Sequence, residues 1–167
     1  VEELVAAFGR ELPKLRTGTG LHEAAETGQD GVIRLLLSNG VQVDVLVKRS
    51  TPLMSAAGYG FHECVKTLLE AGANVNYLTK NGHSPLSAAI YGAYLSPKAS
   101  NDEKVMEQWV KTVQLLLKHG ANVNVITWQK NTPLFMANTY NLPKLAKVLS
   151  ESGGKHADDL HRTNLKD

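Results

Sequence analysis

The sequence predicts an all-α solenoid in which similar helix-turn-helix units stack side by side. A short segment recurs at residues 19–25, 51–57, 84–89 and 132–137, at intervals of 32, 33 and 48 residues. The glycines that would end each unit's second helix recur in step, at intervals of 32, 48 and 33 residues: Gly40, Gly72, Gly120 and Gly153. Self-similarity at such a period is typical of a stacked repeat array, and the long interval indicates an insertion of about 15 residues in the third unit.

The second unit shows why each copy forms two helices. Thr51 can cap the first free amides of a helix, and Pro52 fits the first helical position because its missing N–H costs nothing there. After Gly60, apolar residues recur with helical spacing at Phe61, Cys64, Val65, Leu68 and Leu69. One such unit cannot bury its apolar faces alone, so the copies must pack on one another.

Taken in order, the chain begins with residues 1–14, which we predict to form an amphipathic helix that caps the open end of the first repeat. Four repeats follow, and their predicted ranges are 15–45, 46–78, 79–126 and 127–155. Residues 156–167 form a polar C-terminal cap or tail.

The third repeat carries the insertion, at about residues 95–108. Its first helix is predicted from Ser84 to about Tyr94, and Pro97 then prevents a continuous helix. Asn101 or Ser100 can cap a longer second helix over residues 102–118. The loop before that helix is either a binding element or a neutral surface loop.

The recurring motif Thr-Pro-Leu-His-x-Ala-Ala, with Leu-Leu-x-x-Gly-Ala-x-Val-Asn after it, resembles the ankyrin repeat over about residues 14–155. In the first copy Gly20 replaces the motif proline. Arg49 and Lys130 stand where the family usually has a hairpin glycine, and the linker at Arg49 is one residue short. The resemblance implies short β-hairpin connections, a structural hydrogen bond from His22, and binding of protein partners on a concave face.

The resemblance also implies where a partner would bind, namely on the hairpin tips and the ends of the first helices. The predicted partner-binding residues are Arg16, Lys48, Tyr59, Lys80, His83, Tyr91, Trp128, Gln129, Asn131 and Tyr140. Tyrosine, tryptophan and arginine are the residue types enriched at binding hot spots. The alternative is that each ring packs over the next repeat and is mainly structural. The lysines at successive tips weakly favour an acidic or mixed partner.

Composition excludes several function classes. The net charge of +2 is too small to favour nucleic acid, and the chain contains no apolar run long enough to span a membrane. The start at Val1 is not a signal peptide, and we interpret the chain as a fragment of a longer protein or a truncated form. The single cysteine allows no internal disulfide, and we expect a cytoplasmic location, in the producing cell or in a host cell.

Side chains for catalysis are sparse. Cys64 lies on the apolar face of a helix, where we expect a buried structural residue. The cluster of His156, Asp158, Asp159 and His161 fits no standard zinc spacing. We therefore expect no catalysis, no metal and no cofactor. In the turns after the second helices, Asn76 and Asn124 are predicted to make side-chain hydrogen bonds that fix the turn.

The predicted function is non-catalytic binding of a protein, either a folded surface or a peptide, by a monomer. Two alternatives stay open. In the first, the chain is the recognition domain of a larger enzyme or a secreted bacterial effector. In the second, it has a structural role in oligomerisation through the insertion of the third repeat. No membrane or nucleic-acid partner is expected.

Overall fold

The structure is a computed structural model that describes residues 18–99, 102–127 and 129–157. The helices in these ranges alternate between two layers. The first helices of the repeats are α1 (Thr19–Glu26), α3 (Pro52–Gly58), α5 (Pro85–Leu95) and α7 (Pro133–Thr139). The second helices are α2 (Asp30–Ser38), α4 (His62–Glu70), α6 (Glu103–Lys118) and α8 (Pro143–Glu151). Each layer packs successively along the stack, so the all-α solenoid predicted from the sequence is confirmed.

The starts of three first helices follow the predicted capping chemistry. The hydroxyl of Thr51 accepts a hydrogen bond from the Met54 amide, and Thr132 does the same for Phe135. Ser84 and Ser87 form a reciprocal capping box at the start of α5. All three caps precede a proline at the first helical position. The first repeat lacks that proline, and α1 instead begins after Gly18, which has a left-handed backbone.

The core lies between the two layers and is built from the same motif positions in every repeat. The leucine two residues after the threonine or serine that opens each copy of the motif is buried, at Leu21, Leu53, Leu86 and Leu134. The leucine four residues before each stop glycine is also buried, at Leu36, Leu68, Leu116 and Leu149. Full burial of a leucine side chain contributes roughly 1.5–3 kcal/mol, so this periodic core accounts for the stacking.

The first helices α3 and α5 approach each other closely at two glycines. A β-carbon added at Gly92 would overlap the carbonyl oxygen of Gly58, so α5 can lie this close to α3 only because residue 92 has no side chain. At Gly58 itself, an added β-carbon would meet only the Ala88 carbonyl oxygen, at an ordinary 3.8 Å. The contact therefore depends on the missing side chain of Gly92 and not on that of Gly58.

The insertion of the third repeat lengthens its second helix, as predicted. Helix α6 covers Glu103–Lys118, against a prediction of 102–118. The predicted cap was wrong: the carboxylate of Asp102 accepts from the Lys104 and Val105 amides, because Asp102 directly precedes the first helical turn. Residues 100 and 101 lie outside the described residues. Trp109 is buried against Gly60 and its indole N–H donates to the Gly58 carbonyl oxygen at 3.4 Å.

In the described ranges the connections between repeats are hairpin turns without the flanking β-strands of the β-hairpins that the resemblance implied. In the described part of the chain there is no β-strand, and the β-type pairing consists of one isolated bridge between Val47 and Ser50. The tips of the second, third and fourth repeats are turns of two or three residues, and two backbone hydrogen bonds close each of them. The predicted N-terminal helix at residues 1–14, and the tail after residue 157, lie outside the described residues.

The predicted turn hydrogen bonds of Asn76 and Asn124 are present and join consecutive repeats. The Asn76 side chain donates to the Gly120 carbonyl at 2.9 Å and accepts from the Asn122 amide at 2.8 Å. Asn124 makes the matching pair with Gly153 and Lys155. These bridges join the turn after one second helix to the corresponding turn of the next repeat, from the second repeat to the fourth.

Candidate functional site

The tip of the second repeat is a two-residue turn made of basic residues. Val47 and Ser50 exchange two backbone hydrogen bonds, at 3.1 and 2.9 Å, and enclose Lys48 and Arg49. Both enclosed residues have left-handed backbones, with φ of 50° and 69°. This combination is typical of a type I′ turn, which usually contains asparagine and glycine. The missing residue noted in the sequence therefore produces a tighter turn.

The tips of the third and fourth repeats are three-residue turns. Thr79 and His83 close the third tip through a backbone hydrogen bond of 2.9 Å, and the left-handed position is occupied by Gly82 with φ of 72°. In the fourth tip Lys130 occupies that position with φ of 60°. Arg49 and Lys130 therefore adopt a conformation that costs a residue with a β-carbon roughly 1–2 kcal/mol.

The tips and the ends of the first helices enclose a groove of about 770 Å³. Seven of the ten residues predicted as partner-binding line this groove: Lys48, Lys80, His83, Tyr91, Gln129, Asn131 and Tyr140. Tyr59 does not line it. Arg16 and Trp128 lie outside the described residues. The structure thus brings most of the predicted positions to one concavity that crosses the second, third and fourth repeats.

Sequence reasoning missed the floor of the groove and one of its cations. Met54, Ala88 and Met136 line the floor, and Arg49 extends the basic rim beside Lys48. Met54 and Met136 are only 8% and 5% exposed. Met54 lies three residues after the capping threonine of its helix and Met136 lies four residues after its own, and the sequence alone does not show which side of the helix faces the tips.

Three tyrosines form a cluster where the third and fourth repeats meet. The rings of Tyr94 and Tyr140 stack with centroids 4.2 Å apart, and Tyr91 lies 6.3 Å from both of them. Burial raises the pKa of the Tyr140 phenol, with the phenols of Tyr91 and Tyr94 acting in the same direction. Tyr91 and Tyr140 face the groove, so the cluster forms its wall beside the insertion. Tyr94 was not among the predicted site residues.

Tyr59 lies elsewhere on the surface. Its side chain is 56% exposed and stacks on Phe61 at the start of the next helix, with ring centroids 6.1 Å apart. Phe61 in turn packs against Gly28 of the first repeat. Tyr59 therefore packs within its own repeat and leaves much of its ring in contact with solvent.

The charges that line the groove have one sign. Lys48, Arg49 and Lys80 are exposed on the tip side, His83 lies beside them, and no carboxylate of the described ranges lines the groove. None of the three cations forms an ion pair with any carboxylate in the described ranges. The groove therefore presents unpaired positive charge above a floor of methionine and alanine.

A second, smaller cavity of about 450 Å³ lies on the other side of the tyrosine cluster, between the insertion and the fourth repeat. Tyr94, Met106 and Leu142 contribute apolar surface to it. Lys144 and Glu103 form an ion pair of 2.6 Å at its edge, and this hydrogen bond lowers the pKa of the exposed Glu103 carboxyl. The pair ties α8 to the start of α6.

The groups considered for chemistry lie in structural positions. Cys64 is 1% exposed, and burial, with the nearby carboxylates of Asp30 and Glu63, raises the pKa of its thiol to about 11. The thiol is therefore protonated at neutral pH and is not a nucleophile. His22 is 4% exposed, and its Nε2 lies 2.8 Å from the Ser50 carbonyl oxygen, which confirms the expected structural hydrogen bond.

Candidate metal sites and membrane-spanning helices are both absent from the described ranges. No cluster of three or more histidine, cysteine, aspartate or glutamate side chains there could hold a metal ion. Of the predicted cluster near the C-terminus, only His156 lies within these ranges. None of the helices in these ranges has both the length and the apolar character needed to cross a membrane.

Comparison with known protein families gave two matches that overlap in the third repeat. The family model described as "Ankyrin repeats (3 copies)" matches residues 21–96. The family model described as "Ankyrin repeat" matches residues 81–128. A search of curated proteins found no match. Together the two matches extend over residues 21–128, which include the tips of the second and third repeats.

Proposed function

The chain belongs to the ankyrin-repeat family, and from that premise we propose that it is a non-catalytic module that binds a protein partner in the groove between its tips and its first helices. Ankyrin repeats are generally protein-interaction modules and are generally non-catalytic. The observation that supports the groove as the binding surface is the convergence of Lys48, Lys80, Tyr91 and Tyr140 on one concavity.

Binding in this proposal is by rigid presentation. The bridges of Asn76 and Asn124 fix the spacing of successive repeats, and the tips are closed by backbone hydrogen bonds. Groups that are fixed before binding lose little conformational entropy on association. More of the free energy of the contacts therefore contributes to the binding affinity. We propose that the chain acts as a monomer in a cytoplasm, of the producing cell or of a host cell.

The test compares three baits in a lysate of the producing cell, with captured proteins quantified by mass spectrometry. The baits are the wild type, the groove variant Tyr91→Ala/Tyr140→Ala, and the matched control Tyr59→Ala, which removes an exposed tyrosine outside the groove. We expect a protein retained by the wild type and the control but reduced about tenfold or more on the groove variant, since hot-spot tyrosines contribute roughly 2 kcal/mol.

Circular dichroism and thermal melting must show that the groove variant is folded, because Tyr140 stacks on Tyr94. A partner retained equally by the folded groove variant and the wild type would place binding on another surface and contradict the proposal. Capture by all three baits of the same unspecific set would contradict it as well.

A second candidate function is oligomerisation through the insertion. The observation that favours it is exposed apolar surface at the end of α5, where Leu95 is 57% exposed beside the exposed ring of Tyr94. Light scattering at increasing protein concentration separates the two proposals. A stable dimer that Leu95→Ser converts to monomer would support the second candidate, whereas a monomer throughout contradicts it.

A further inference from the structure

We propose that the partner segment bound in the groove is an acidic peptide in a polyproline II conformation, with a carboxylate at every third residue facing the basic tips. This inference rests on the proposed function, because it names the chemistry of the partner bound at the same surface. It follows from the sign of the groove's charge, the strain at its tips, the spacing of the repeats and the nature of the floor.

The charge of the groove is concentrated there and does not reflect the composition of the chain. The whole sequence has 18 lysine and arginine residues against 16 aspartate and glutamate residues, which is close to balance. The groove is lined by Lys48, Arg49 and Lys80 without a carboxylate, and these cations have no ion-pair partner in the described ranges. Complementary charge steers a partner and selects against partners of the same sign.

The backbone at the tips supplies a second, independent observation. Four non-glycine residues in the described ranges have positive φ, namely Lys48, Arg49, Lys130 and Asn141. Lys48 and Arg49 line the groove, whereas Lys130 belongs to the fourth tip and is not among the lining residues. Glycine adopts this conformation without strain, as Gly82 does in the third tip. Residues held in an unfavourable backbone region are concentrated at functional sites. Lysine and arginine at these left-handed turn positions are explained if the positive side chain is needed for binding, because glycine would form the same turn without strain.

The spacing of the repeats selects the conformation of the partner. Packed helices lie about 8–10 Å apart, so basic tips on consecutive repeats are separated by about that distance. A polyproline II helix rises about 3.1 Å per residue with three residues per turn, so residues i and i+3 lie on one side about 9 Å apart. An extended strand would place residues i and i+3 on opposite sides. Carboxylates at every third residue of a polyproline II peptide can therefore face one basic tip each.

The floor indicates what lies between the carboxylates. Met54, Ala88 and Met136 provide apolar surface, and Tyr91 and Tyr140 form the aromatic wall. Methionine side chains adapt to irregular shapes, and aromatic grooves are a usual docking surface for proline-rich segments. Apolar residues and prolines between the acidic residues would occupy this floor. A nucleic acid would need a longer basic stripe than these isolated cations.

The direct test measures the binding of labelled peptides by fluorescence anisotropy. The probe is a fluorescein-labelled peptide with the triplet Glu-Pro-Leu repeated four times. One control peptide has the same composition with its glutamates adjacent, a second has lysine for glutamate, and a single-stranded oligonucleotide of the same length is the third. We expect the periodic peptide to bind about tenfold more tightly than the clustered one and to weaken as salt screens the charges.

Two pairs of charge reversals separate local from global electrostatics. Arg49→Glu/Lys80→Glu reverses two groove cations, and Lys66→Glu/Lys111→Glu reverses two exposed lysines on the second helices α4 and α6. In both variants two positive charges become negative, so the formal net charge falls from +2 to −2 in each. We expect the groove variant to lose about tenfold or more in affinity and the control to change by less than about twofold.

Three results would overturn the proposal: no binding of the periodic peptide, equal weakening by the two charge-reversed variants, or tighter binding of the oligonucleotide that depends on the groove cations. If the groove reversal misfolds, Arg49→Gln/Lys80→Gln removes the same charges without introducing repulsion. The proposed function is tested separately. A captured protein that Tyr91→Ala/Tyr140→Ala loses but Arg49→Glu/Lys80→Glu retains would leave groove binding in place and contradict an acidic partner.

Discussion

The contact between α3 and α5 and the basic hairpin tips differ in how they use glycine. At the contact, Gly92 occupies a helical position, where glycine is intrinsically unfavourable, and its missing β-carbon lets the Gly58 carbonyl approach. At the tips, Arg49 and Lys130 occupy left-handed positions, where glycine would be favourable. At the helix contact, a residue with low helix propensity allows close packing. At the tips, residues with strained backbones present charged side chains.

This difference distinguishes residues that serve the stack from residues that serve its surface. A substitution that adds a β-carbon at residue 92 should damage stability. A substitution that removes one at residue 49 or 130 should improve stability and weaken binding. The two kinds of substitution should change the free energy of unfolding in opposite directions, which makes the comparison testable. The expected change is largest at the helix contact, smaller at the tips, and smallest for the titration of one buried histidine.

The largest effect is expected for Gly92→Ala. The added methyl group would overlap the Gly58 carbonyl oxygen, which is backbone and cannot rotate away, so α5 must move off α3. Overpacking of this kind typically costs about 1–3 kcal/mol, and we expect the upper end because these two helices share the most extensive contact of the stack. Urea unfolding followed by circular dichroism measures the loss.

The matched control for that substitution is Gly58→Ala on the opposite helix. Its β-carbon would meet only ordinary van der Waals contact, and alanine is favoured over glycine in a helix by roughly 0.5–1 kcal/mol. We therefore expect Gly58→Ala to be neutral or slightly stabilising. Equal destabilisation by the two alanines would show that the close approach is not specific to residue 92.

A smaller effect of opposite sign is expected for Arg49→Gly and Lys130→Gly. Each should raise the free energy of unfolding by about 0.5–1 kcal/mol, because relief of the left-handed strain exceeds the extra entropy of glycine in the unfolded chain. Arg49→Gly should also weaken binding of the acidic peptide. Arg49→Ala is the control that separates the two effects, since it removes the charge but keeps the β-carbon. A gain in stability by the alanine variant equal to that of the glycine variant would rule out strain as the cause.

The sequence was sufficient for the parts of the fold that repeat. The cap residues, the buried leucines and the stop glycines recur in register. The prediction for one repeat can therefore be checked against the other three. The predicted helix over 102–118 was confirmed at Glu103–Lys118 because a single proline and a run of helix formers delimit it. Its cap was placed one or two residues early, since serine, asparagine and aspartate compete for that role with similar preference.

The groove could be predicted only in part. The tip positions follow from the repeat register, but the floor formed by Met54 and Met136 depends on which side of each first helix faces the tips. The stacking of Tyr94 on Tyr140 joins two repeats across the insertion, and no local pattern shows how far an insertion shifts a side chain. The left-handed backbone of Lys48 also depends on the shortened turn, which forces two residues to complete the reversal.

The smallest expected effect is a dependence of stability on pH that arises from His22. Burial lowers the pKa of this imidazole below its ordinary value of 6.5, with the charge of Glu26 opposing the shift. The Nε2 atom faces the Ser50 carbonyl, so the neutral ring donates from Nε2, while the buried Nδ1 has no hydrogen-bond partner in the described ranges. Protonation would place an unpaired N–H and a charge in the interior between the first and second repeats.

The sign of that dependence follows from linkage. Between the folded and unfolded pKa values the unfolded chain binds more protons, so the contribution of His22 to stability is complete above about pH 6.5 and is lost as the pH falls through the lowered folded pKa. Wild type and His22→Gln, whose amide can donate to the same carbonyl, should be compared by urea unfolding at several pH values from 7.5 to about 5. The difference between them isolates His22 from the carboxylates, which titrate in both proteins. We expect the wild type to lose more stability than the variant on acidification, and parallel pH profiles would show that the buried imidazole does not titrate in this range.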